Sequence, residues 1–228
     1  MSISKKFALL FFSLASFSTV FSQKPDFGIW YGASGELKIS RKFSFDLSGS
    51  IRTINNASRV KKDFIEGLLS YKIIKHISVA GGFRPEYRLD KDDVYRWRHL
   101  WLAEVKGSLP IGRLTLSTRF RYENRYKTYF LDRNDEIPVA HGRYRFKAFY
   151  SIRKFPLSPF IDVEYFRPMY RKAIQNPARF IDKERYTYGL EYYFARRQSM
   201  EFEYIHQVDY SPHLVAMNIL SLAYAFKF

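Results

Sequence analysis

The sequence predicts a single all-β domain, a transmembrane antiparallel up-and-down β-barrel of 10–12 strands with a polar, charged lumen. Three observations point there. Apolar and polar residues alternate with period two along most of the chain, each alternating run lasts about 10 to 14 residues, and the chain ends in an aromatic strand on Phe228. Soluble strands usually have five or six residues. A tilted strand crossing a bilayer needs roughly 9 to 11. The length of the runs decides for membrane.

Composition narrows the rest. The 228 residues suit one domain, and no stretch after the first 22 has the 18 consecutive apolar residues of a membrane helix. Aromatic residues make up 19% of the chain, rich for any soluble class, and the net charge is +16. Cysteine is absent, which removes disulfides, thiolate metal sites and thiol catalysis.

Residues 1–22 read as a secretory signal peptide. Lys5 and Lys6 precede an apolar stretch from Phe7 to Phe21, and Val20-Phe21-Ser22 supplies a cleavage site, leaving 23–228 as the barrel. The apolar stretch falls short of a membrane anchor. Export also weakens the nucleic-acid reading that basic charge and many aromatics would invite.

The strands follow in order. Expected segments are 29–39, 43–53, 63–73, 77–88, 95–106, 113–126, 142–152, 159–170, 184–194, 199–209 and 213–228. In the second, Phe43, Phe45, Leu47 and Ile51 alternate with Ser44, Asp46, Ser48 and Arg52. In the ninth, Tyr186, Tyr188, Leu190 and Tyr192 alternate with Arg185, Thr187, Gly189 and Glu191. Short turns near 40–42, 74–76, 107–112, 153–158 and 195–198 alternate with longer connections, the habit of outer-membrane barrels. The tally is eleven, awkward where bacterial barrels have even numbers, so 29–39 is either an atypical closing strand or one of twelve. The competing fold is a secreted lipocalin-type barrel. It would have to pack this many Tyr and Phe into a small lumen.

The mature start Asp26-Phe27-Gly28-Ile29-Trp30, then Glu36-Leu37-Lys38 and the turn Ser40-Arg41-Lys42-Phe43-Ser44, resembles a family of small bacterial outer-membrane barrels of uncharacterised function. Leu220, Leu222, Tyr224, Phe226 and Phe228 resemble the terminal strand read by the barrel assembly machinery. The resemblance implies outer membrane and barrel. It carries no catalytic or ligand residues.

Candidate chemistry is sparse. His99 shares the Trp97 and Trp101 face, an interfacial belt position. His206 shares a face with Phe202 and Tyr204, and hairpin pairing is expected to put it opposite Ala216, diagonal to Asn218 and beside Tyr188. A lipid-modifying enzyme would need a serine nucleophile there, and none lies on that face. Asp209, Ser211 and His213 match a serine hydrolase in composition but crowd one turn. No catalytic residue, metal ligand set or cofactor motif is assigned. Gly81-Gly82 in mid-strand suggests a bulge or a close backbone approach. The basic turns Arg41-Lys42, Lys75, Arg153-Lys154 and Arg196-Arg197 fit membrane phospholipid head groups.

The charge map is the sharpest feature. On the luminal parity the external halves of four successive strands carry Arg84 and Arg88; Arg96 and Arg98; Arg119, Arg121 and Arg125; and Arg143, Arg145 and Lys147. Only Glu86 and Glu123 interrupt them, while Asp162, Glu164, Glu191, Glu201 and Glu203 follow. The hairpin from 95–106 to 113–126 is expected to oppose like charges, Arg98 with Arg121 or Arg96 with Arg125. A cationic external mouth for a small anionic solute, centred on Arg98, Arg121 and Arg145, is the first functional reading. A structural barrel plugged by luminal salt bridges is the second, and a lipid-modifying enzyme the third.

Overall fold

In a computed structural model, residues 25–90, 92–129, 138–170, 180–210 and 214–228 are described. The signal segment and the residues Ser211, Pro212 and His213 lie outside them.

Eleven strands close into one barrel: β1 (Asp26–Lys38), β2 (Phe43–Ile54), β3 (Arg59–Ile74), β4 (Ile77–Leu89), β5 (Tyr95–Ile111), β6 (Leu114–Lys127), β7 (Val139–Tyr150), β8 (Leu157–Tyr170), β9 (Lys183–Ala195), β10 (Gln198–Asp209) and β11 (Val215–Lys227). Each pairs antiparallel with the next. The closing pair is different: β1 runs parallel to β11, with Trp30 opposite Ser221 and Glu36 opposite Lys227. An up-and-down chain with an odd number of strands can close in no other way. The segment read as an atypical closing strand is therefore real, and the even-number habit of bacterial barrels is broken.

β1 is tied at both ends, to β2 and the turn after it at one and to the end of β11 at the other. The Asp26 carboxylate accepts hydrogen bonds from the backbone N–H groups of Asn55 and Asn56, both at 3.0 Å. Those residues and Ala57 sit at positive φ (55°, 54° and 62°), so the carboxylate holds a turn that L side chains resist. Thr53 bonds both backbone groups of Ile29, and the Phe228 N–H donates to the Glu36 carbonyl at 2.8 Å.

Two hairpins pair differently from the sequence reading. β5 continues through Pro110, which stands opposite Thr115, and reverses at Gly112-Arg113, with Gly112 at φ 61°. A two-residue turn replaces the six-residue one expected at 107–112, and the register moves with it. Arg98 faces Lys127, Leu100 faces Arg125, and Glu104 faces Arg121. Neither expected pairing occurs. In β10–β11, His206 lies directly opposite Asn218, with Ala216 opposite Val208; across β9 its neighbour is Tyr186, and Tyr188 faces Tyr204. Gly81-Gly82 is a close approach, as read: a Cβ on Gly82 would stand 2.2 Å from the Gly67 carbonyl oxygen.

The outer wall is apolar and aromatic, the surface a barrel offers to lipid. Trp101 and Ile65 on it are each 59% exposed. The lumen is charged, but two apolar clusters interrupt it: Leu68, Leu100 and Leu102 on β3 and β5, and Ile205, Met217 and Ile219 on β10 and β11.

Candidate functional site

Luminal side chains come from the inward parity of every strand. Their charges are distributed unevenly along the barrel axis. Toward the middle, acids and bases neutralise one another. Arg143 binds Glu123 at 2.5 Å and meets Glu164 with Nη2 2.8 Å from each carboxylate oxygen. Glu164 also accepts from Arg119 at 2.7 Å and Arg185 at 3.3 Å. Arg84 bonds Glu66 through Nε at 2.7 Å, and Arg121 joins Glu66 at 3.0 Å to Glu104 at 2.7 Å. Arg145 is hydrogen-bonded to Asp162, and Lys147 lies 3.8 Å from Glu201 and 3.6 Å over the Phe160 ring. This lattice answers the like-charge stress that the sequence implied. Like charges oppose in the β5–β6 hairpin, where Arg98 faces Lys127 and Lys106 faces Arg119. They oppose again between β6 and β7, where Arg119 faces Arg145 and Arg121 faces Arg143. Directly opposed like charges destabilise a sheet, and these four arginines share Glu66, Glu104, Glu123, Asp162 and Glu164.

At the end bearing the longer connections the balance tips. Glu86, fully buried, is the shared carboxylate for three cations: Lys62 at 2.9 Å, Arg125 at 3.6 Å and Arg88 at 3.7 Å. Two more cations, Arg52 and Lys61, line the same space, and among the described residues neither has a carboxylate within ion-pairing distance. Arg96 and Arg98 are held by the loop acids. Arg98 lies 3.1 Å from Asp90, and Arg96 pairs with Asp92 and lies 3.5 Å from Asp90.

Three cavities lie along the lumen, of about 400 Å³ at the long-loop end, 330 Å³ in the middle and 490 Å³ at the short-turn end. Arg52, Arg84, Arg143 and Arg185 line both the first and the second. Arg119 and Arg145 line both the second and the third. Trp30 also lines both the first and the second.

All twelve residues singled out from the sequence are luminal by strand parity, and the ion-pair lattice joins most of them. Lys62, Glu66, Glu104, Arg52 and Arg185 escaped that selection, although parity alone places each on the inner face. That parity is their signal in the sequence; they lie apart from the densest run of arginines. Outside the barrel, His206 Nδ1 lies 2.9 Å from Asn218 Oδ1, to which Tyr204 donates at 3.0 Å. That is a hydrogen-bonded polar patch with no serine opposite or flanking it. Among the described residues no group of His, Asp and Glu is placed to hold a metal ion.

A closed barrel with a lipid-facing apolar wall and a charged lumen defines a transmembrane β-barrel of the outer-membrane class. The chain belongs to the family described as "Protein of unknown function (DUF2490)", whose model matches residues 27–218. The fold is similar to a structure titled "NanC porin structure in rhombohedral crystal form", with 12% identity, a TM-score of 0.50, and coverage of 80% of this chain and 87% of that one. A search of curated proteins found no match.

Proposed function

We propose that this protein is an exported barrel of a Gram-negative outer membrane that admits small anions through a cationic mouth. One observation carries the reading: among the described residues Lys62, Arg88 and Arg125 share the single carboxylate of Glu86, while Arg52 and Lys61 beside them have none within ion-pairing distance. Unneutralised charge between low-dielectric walls focuses field and raises the local anion concentration. The mouth is thus carried by Arg52, Lys61, Arg88 and Arg125. Arg98, Arg121 and Arg145, each held by an acid, serve the framework. Fold similarity to a porin supports a channel.

The orientation follows from the connections. Short turns and Phe228 face the periplasm, where the basic turns meet phospholipid head groups and the last strand serves the assembly machinery. The signal segment supplies export.

A second reading, a barrel plugged for structural duty, is favoured by the Arg143–Glu123–Glu164 lattice across the middle. Planar-bilayer recording under a KCl gradient separates the two. A reversal potential toward that of chloride supports the channel; a folded barrel with no conductance supports the plug.

A further inference from the structure

The long-loop cavity is not uniformly charged. One side carries the cations around Glu86. The other carries an apolar patch of Ile54, Val215 and Met217, bordered by Asp26, Gln207 and Asp209, with Trp30 and Ile54 packed on the Ile205–Met217–Ile219 cluster. Arg52 stands where the two sides meet. Its guanidinium carbon sits 3.8 Å over the Trp30 ring and 5.0 Å from the Phe64 ring, so aromatic surface supports its plane. Its Nε makes one long contact, 3.4 Å to Ser50 Oγ. Among the described residues its two amino groups have no hydrogen-bond partner. A guanidinium oriented by rings and left without an acid is the planar fork that a carboxylate fills with two parallel bonds.

We propose that this cavity binds a small organic carboxylate with an apolar body, the carboxylate on Arg52 and the body against Ile54, Val215 and Met217. The proposal rests on the anion-admitting reading and adds a specific subsite to it. The neighbouring charges favour an anion: the nine Lys and Arg side chains that line the cavity outnumber its four acids, Asp26, Glu123, Asp182 and Asp209. The apolar side separates such a ligand from chloride or phosphate, which would gain nothing from it. The volume, about 400 Å³, lies in the range of small-molecule sites. An arginine with no acid partner is an expense in a fold that pairs its other luminal arginines, and ligand capture explains why it is kept.

The test uses the full barrel in lipid vesicles, with hexanoate as probe and Trp30 as reporter. Trp97 and Trp101, the other two tryptophans, lie on the outer wall. Hexanoate is expected to change the Trp emission saturably, with hexanol and inorganic phosphate ineffective at the same concentrations. The change should vanish in Trp30→Phe and weaken about tenfold or more in Arg52→Gln, as loss of a charge-assisted pair implies. Arg52→Lys keeps the charge but loses the fork, so hexanoate should still bind more weakly while anion selectivity persists. An unchanged hexanoate response in Arg52→Gln overturns the subsite, as does equal competition by phosphate. Heat-dependent gel mobility certifies that each variant is folded. If wild type binds hexanoate yet shows no anion preference in bilayers, the channel reading falls and the subsite stands.

Discussion

Arg143 and Glu164, neighbours on β7 and β8, are joined by three hydrogen bonds, two of 2.8 Å from Nη2 and one of 3.2 Å from Nε. Glu164 is also the partner of Arg119 and Arg185, so one carboxylate stabilises three guanidinium groups. Removing one member of a buried set strands the others, and the penalty then exceeds the worth of any single pair.

Glu164→Gln should therefore destabilise the barrel by about 3–5 kcal/mol. Urea unfolding in vesicles measures it. A midpoint equal to wild type would mean that water already carries these arginines.

Arg52→Gln should behave in the opposite sense. It removes a cation with no carboxylate at ion-pairing distance among the described residues, so stability should hold within about 0.5 kcal/mol or rise. The same urea titration checks it, and a loss comparable to that of Glu164→Gln would place Arg52 in the framework.

Glu86→Gln tests the mouth. Loss of the carboxylate shared by Lys62, Arg88 and Arg125 should increase anion preference, most at low salt, since screening shortens to about 3 Å at 1 M. Unfolding should be easier in the same variant. Unchanged selectivity in a folded Glu86→Gln barrel would detach selectivity from this cluster.

Much of this was legible in the sequence. Alternation placed all eleven strands within a few residues, since a half-buried strand must repeat every second residue. Phe228 fixed which end of the last strand is aromatic. Register was not legible, because it depends on turn length. Pro110 reads as a turn, yet it costs one ladder bond two residues from the reversal and β5 runs on past it. That single difference replaced Arg98 by Glu104 as the partner of Arg121. Arg52 was visible as a luminal residue, but its lack of an acid partner is a fact of three dimensions.

The anchoring of β1 offers a test of the fold itself. Asp26→Ala removes the acceptor for the Asn55 and Asn56 N–H groups, which sit at positive φ. A loss of about 1–3 kcal/mol is expected, with β1 amides exchanging faster than those of β5 and β6. Equal protection in β1 would show that this strand does not depend on the turn.

Reversal potential of the wild-type barrel in a planar bilayer, under a tenfold KCl gradient at low total salt, tests the cationic mouth most directly. A potential displaced toward the chloride equilibrium value, collapsing as salt rises, is expected from the excess of cations around Glu86. A potential toward potassium, or a folded barrel that never conducts, would contradict it.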